Sequence, residues 1–212
     1  MSFDGLCDKL VNDSVWWPYR GWHDDHRDRD GTSEYRPAAQ QVRAEWLEFA
    51  DMLRGHGLPR STCLQLGLGT PGATHSLLAL LFREVHTVER EFPVVGEWNR
   101  RFPAGDTGTL HNGSGIIQGD TNSAGTFTRC GALKPLDLLF IDAGHRYEEV
   151  LLDHTMYSPL VRLGGIVAFH DAVHRPQFGD DIGVWRLLAE LKRGGIPIVT
   201  IGNEVGIAYY VR

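Results

Sequence analysis

Two short stretches carry side chains suited to chemistry: Asp142 and His145 in IDAGHRYEEV, and His170 and Asp171 in FHDA. Carboxylates and imidazoles hold divalent cations, and imidazole also exchanges protons near neutral pH. Each stretch ends a nearly continuous apolar run, LDLLFID or IVAFHD, of the kind that forms a buried strand. In an open parallel sheet the C-terminal strand ends border one crevice, so the two stretches are expected to meet there. Structural alternatives exist for each residue. Asp142 could cap the next helix, His145 could lie in a solvated turn, and His170 and Asp171 could pair with each other or with Arg175. Four such groups at two strand ends favour a site over four separate coincidences.

A second feature lies upstream. LQLGLGTPG spaces Gly67, Gly69 and Gly72 as GxGxxG, after the apolar run TCLQLGL and before the helical stretch THSLLALLF. Glycine reaches the dihedrals of a tight turn cheaply, and its missing Cβ lets a cofactor approach the main chain. Glu89 closes the next strand, EVHTVE, about twenty residues on, where an acid can accept from both hydroxyls of an adenosine ribose. Asp120, ending GIIQGD, is placed to contact the adenine amino group or to cap the following turn. Glycines and acid together suit NAD and S-adenosylmethionine equally.

These residues need a framework, and the remaining pattern supplies one. Residues 1–36 are rich in tryptophan, histidine and charge without periodicity, and are expected to form an arm or lid; 37–212 form the main domain. Val42, Trp46, Phe49 and Leu53 make one apolar helix face, stopped by Gly55, Gly57 and Pro59. Strands then alternate with helices, EEVLLDHTMYSPLVRLGG reading as a helix that ends in glycines and VWRLLAEL as a later one. The tracts 105–115 and 121–126, rich in Gly, Ser and Thr, read as loops. IPIVTIG and GIAYYV, close in sequence, form a hairpin. The expected fold is α/β: a mostly parallel sheet with helices on both faces and an antiparallel C-terminal hairpin.

Composition narrows the partners. A net charge of -6 with scattered basic residues gives no footprint for a nucleic-acid backbone. Three dispersed cysteines suit a reducing compartment, no secretory signal is visible and no apolar run is long enough to span a membrane, so a cytoplasmic protein is expected. A homo-oligomer is compatible with the sequence, which does not specify the state. No GxSxG elbow or GxxxxGK[ST] loop occurs.

Leu163-Gly164-Gly165 before the fifth strand, the acid ending the fourth and the terminal hairpin resemble the class I S-adenosylmethionine-dependent methyltransferases across about residues 40–212. IDAGHRYEEV, LVRLGGIVAFHD and GVWRLLAEL are similar to a narrower branch, the metal-dependent small-molecule O-methyltransferases of natural-product pathways, including the cephalosporin hydroxylase family. This resemblance implies a Rossmann-like methyltransferase fold with seven strands and transfer of a methyl group to a hydroxylated small molecule. It implies Asp142 and Asp171 as ligands of a divalent cation and His145 as base, with Asp142 also bordering the cofactor. His170 stands where the branch commonly has an acid, and imidazole favours Mn²⁺ or softer ions over Mg²⁺. A second departure is Gln65-Leu66, where the family often carries an acid for the methionine amino group. An NAD-dependent oxidoreductase and a non-catalytic binding module are the alternatives.

Overall fold

The protein is described by a computed structural model covering residues 42–68, 73–91, 115–176 and 182–212. The 1–36 arm, Gly69 and Gly72 lie outside these residues, as does the 105–114 tract.

The predicted helix face around Trp46 forms α1 (Arg43–Gly55). It is followed by β1 (Thr62–Leu66), α2 (Ala73–Leu81), β2 (Glu84–Glu89) and β3 (Gly115–Gln118). Next come α3 (Ala124–Gly131), β4 (Leu136–Ile141), α4 (Tyr147–Tyr157) and β5 (Val161–Phe169). The chain ends with α5 (Val184–Arg193), β6 (Val199–Ile201) and β7 (Ile207–Val211). The seven strands form one sheet in the order β3-β2-β1-β4-β5-β7-β6. β1 to β5 are parallel; β7 runs antiparallel between β5 and β6, as the hairpin pattern requires.

The central strand explains why the sheet is covered on both faces. All six residues of β4 are buried. Leu138 and Phe140 point to one apolar layer, with Trp46, Phe49 and Leu53 of α1; Leu139 and Ile141 point to the other, with Val150 of α4 and Leu187 of α5. Trp46 meets Phe140 edge-on at a centroid distance of 6.4 Å, which locks α1 across the sheet.

Two expectations about element limits are corrected. The helix read through to Gly165 ends at Tyr157, and a 3₁₀ turn (Ser158–Leu160) with Pro159 intervenes. VRLGG therefore belongs to β5; the strand survives its glycines because the register against β4 shifts there and Gly164, at φ 74°, donates its N–H to Arg212. The loop read over 121–126 is shorter than expected, since α3 begins at Ala124 and buries Thr126 and Cys130.

Candidate active site

Main-chain hydrogen bonds align the strand ends before any side chain acts. Gly67 N–H donates to Val88, Gly119 N–H to Glu89, Asp142 N–H to Leu66 and His170 N–H to Ile141. Each residue just past one strand is thereby tied to the end of its neighbour, and the predicted site residues enter one crevice in register. A cleft of about 330 Å³ opens along this edge. Gly67, Glu89, Asp120, Asp142, His145, His170 and Asp171 all line it.

Gly67 has φ 87°, and a Cβ there would lie 2.8 Å from Ala143 Cα and collide with the Asp142 carbonyl oxygen. The residue is glycine because two strand ends meet main chain to main chain. Glu89 faces the same bend: it is nine-tenths buried and accepts from Leu68 N–H at 2.9 Å and Glu91 N–H at 2.8 Å. A carboxylate offers about four lone-pair positions, so acceptor capacity remains for a ligand. Asp120 bends the chain after β3, its Oδ1 accepting from Asn122 N–H at 2.9 Å. Gln65 is fully buried and its amide donates to the Gly67 carbonyl at 2.5 Å. Its N–H group is thus engaged in shaping the turn.

The second constellation closes at the β4 and β5 ends. Asp142, His170 and Asp171 each present a ligand atom within 4.8 Å of the others. His170 Nδ1 lies 3.1 Å from Asp142 Oδ1 and 3.0 Å from Asp171 Oδ2. His145, exposed over 42% of its side chain, brings Nε2 to 3.1 Å from Asp171 Oδ2 and 3.7 Å from Asp142 Oδ1. Burial works against ionising Asp142, but His170 and His145 outweigh it and hold the carboxyl at about 2. Asp171 is buried at φ 55°, a conformation costing of order 1–3 kcal/mol for a residue with a Cβ. Arg175 secures it by pairing with Oδ1, so Oδ2 is left to the two imidazoles. The pairings of His170 and Asp171 with each other and with Arg175, named above as structural alternatives, are present within the cluster.

These separations agree with a cation site. Ligands about 2.1 Å from a small octahedral ion lie about 3 Å apart, close to the two His170–carboxylate distances. Two carboxylates and one imidazole suit Mn²⁺ as well as Mg²⁺. Ligation through Nδ1 places the ring proton on Nε2, which is buried without an acceptor.

Several lining residues were not singled out from the sequence. Thr121, Glu149 and Asp153 border the cleft. The signal for two of them was available, since Glu149 and Asp153 lie four residues apart and so share a face of α4. Asp180, Asp181, His23 and His26 lie outside the described residues. No helix among the described residues is long and apolar enough to cross a membrane.

Comparison with known proteins identifies the family and the fold. No protein of curated function matches the sequence. Among solved structures, an O-methyltransferase from Bacillus cereus in complex with SAH aligns at 15% identity and TM-score 0.58, over 99% of this chain and 90% of its own. TomG, an O-methyltransferase of Streptomyces achromogenes involved in tomaymycin synthesis, aligns at 18% and 0.56, over 79% and 78%. MycE, a methyltransferase of the mycinamycin biosynthetic pathway solved with Mg, SAH and mycinamycin VI, aligns at 15% and 0.57, over all of this chain but 54% of its own. At such identities the likeness is one of fold. The family model described as "Methyltransferase domain" matches residues 49–172, more than half of the chain. This match decides against the nicotinamide alternative, and the antiparallel β7 agrees with it. The chain belongs to the methyltransferase-domain family and is an S-adenosylmethionine-dependent methyltransferase.

Proposed function

We propose that this enzyme methylates a hydroxyl group of a small molecule, with a divalent cation, Mg²⁺ or Mn²⁺, held by Asp142, His170 and Asp171. The observation that carries this reading is the approach of His145 Nε2 to Asp171 at 3.1 Å, beside three ligand-bearing side chains in one cleft with Gly67 and Glu89. Glu89 binds the ribose hydroxyls, Gly67 with Gly69 and Gly72 admits the cofactor to the main chain, and Asp120 meets the adenine amino group. Asp142 lies between the cofactor half of the cleft and the acceptor half.

The chemistry asks for little beyond alignment and proton removal. A sulfonium methyl is already activated, whereas an alcohol is a weak nucleophile. A bound cation lowers the pKa of an acceptor hydroxyl. His145 takes the hydroxyl proton, and Asp171 orients its ring and favours the imidazolium that results. His170 keeps the two carboxylates apart and in place. Holding oxygen, methyl carbon and sulfur in line supplies the rest.

MycE belongs to the mycinamycin biosynthetic pathway and TomG to tomaymycin synthesis, which supports a small-molecule acceptor. The test is formation of S-adenosylhomocysteine with a panel of hydroxylated small molecules, with and without a chelator. Chelator-sensitive turnover supports the proposal. Turnover indifferent to chelation removes the cation, and no turnover with bound cofactor counts against an acceptor of the panel's class.

A further inference from the structure

Asp153 is a lining residue of the cleft to which methyl transfer assigns nothing. It lies on α4, is 1% exposed, and neither carboxylate oxygen completes a hydrogen bond. An ionised carboxylate in such a place has no donor to hold its charge. One helical turn further on, Tyr157 donates its hydroxyl to the Thr121 carbonyl at 2.7 Å. Both side chains thus stand under the turn that follows β3, where Ser123 N–H closes onto the Asp120 carbonyl at 3.0 Å. That turn walls the end of the cleft where the proposed function seats adenine.

We infer that Asp153 is a positioning residue for the nucleoside end of the cleft: with Tyr157 it supports the Asp120–Ser123 turn, and it does so as the neutral acid. The charged groups around it agree. Burial pushes the carboxyl up to about 6, the Thr121 side chain opposes this without completing a bond, and Asp120 and Glu149 add repulsion. Asp120 faces it from the β3 turn, Glu149 and Tyr157 from its own helix, and Arg129 and Cys130 lie beyond Tyr157 on α3. Ionised, Asp153 adds a further negative charge beside Asp120, which Arg90 pairs, and Glu149, and draws in water. A nucleoside covering the cleft excludes that water and disfavours the charge further. Cofactor binding and protonation of Asp153 are therefore linked, each promoting the other.

The inference rests on the cofactor reading above, and calorimetry with S-adenosylhomocysteine separates the two. In buffers of different ionisation enthalpy, the parent takes up a proton on binding near pH 7, and its Kd rises about threefold or more from pH 5.5 to 7.5. Asp153→Asn, a neutral near-isostere, binds with a Kd constant within about twofold over that range and without this proton. Tyr157→Phe raises Kd about two- to tenfold, the scale of one hydrogen bond. A parent that binds with the same proton uptake and pH profile as Asp153→Asn overturns this inference alone. A parent that binds no S-adenosylhomocysteine at any pH overturns the cofactor reading, and this inference with it.

Discussion

Gly67 and Asp142 meet main chain to main chain, the bend after β1 resting on the residue that leaves β4. The contact is close enough that a Cβ on Gly67 would overlap the Asp142 carbonyl oxygen. It joins the half of the cleft that Glu89 faces to the half that holds the imidazoles. Gly67→Ala therefore destabilises the fold by at least about 2 kcal/mol, combining the left-handed backbone with a clash that neither strand can relieve. Urea denaturation of parent and variant measures this. A difference under about 0.5 kcal/mol means the bend can open.

Glu89 already binds two main-chain N–H groups of the bend and its flank. Glu89→Ala removes those acceptors together with the proposed grip on the ribose. Affinity for S-adenosylhomocysteine is expected to fall by about 1–3 kcal/mol. Calorimetric Kd values equal in the two proteins would take Glu89 out of the cofactor site.

His145 is the most exposed member of the imidazole–carboxylate cluster and sits at its edge. His145→Ala is expected to leave cofactor affinity unchanged and to lower kcat about 10²–10⁴-fold. Steady-state kinetics combined with calorimetry makes the distinction. An undiminished kcat would show that another group, or water, receives the proton.

Asp153 also has a signature in stability alone. Its folded carboxyl is raised to about 6, above the ordinary Asp value of 3.8. The folded state therefore holds more protons than the unfolded one between those values, and stability falls as pH rises from about 4 to 6. Above that window the ionised group costs up to about 3 kcal/mol, an upper limit given local relaxation. Asp153→Asn should consequently raise the unfolding temperature at pH 8 and change it little at pH 4. Equal stability of the two proteins at pH 8 would mean that the carboxylate finds a partner, such as a buried water.

The sheet was legible because its signals are local. LDLLFID is apolar throughout, as a strand covered on both faces must be, and Trp46 with Phe49 and Leu53 shows the helical spacing of a face pressed on that strand. The convergence of Asp142 with His170 and Asp171 followed from one topological rule about parallel strand ends. What was not legible depends on contacts distant in sequence. β5 begins at Val161 because it pairs with β4, although LGG reads as a helix stop. Asp153 shares a helix face with Glu149 in the sequence, but its burial shows only once the turn after β3 is in place. Gln65 reads only as a departure from the acid the family often carries there, yet the fold uses its amide to fix the glycine bend.

Manganese binding, read by electron paramagnetic resonance, addresses the cluster at the β4 and β5 ends most directly. With S-adenosylhomocysteine present, the parent should bind one Mn²⁺ per chain, and Asp142→Asn and Asp171→Asn should each abolish or greatly weaken that binding while the fold persists. Absence of bound Mn²⁺ in the parent, or binding undiminished in both variants, would contradict a cation-assisted transfer at Asp142, His170 and Asp171.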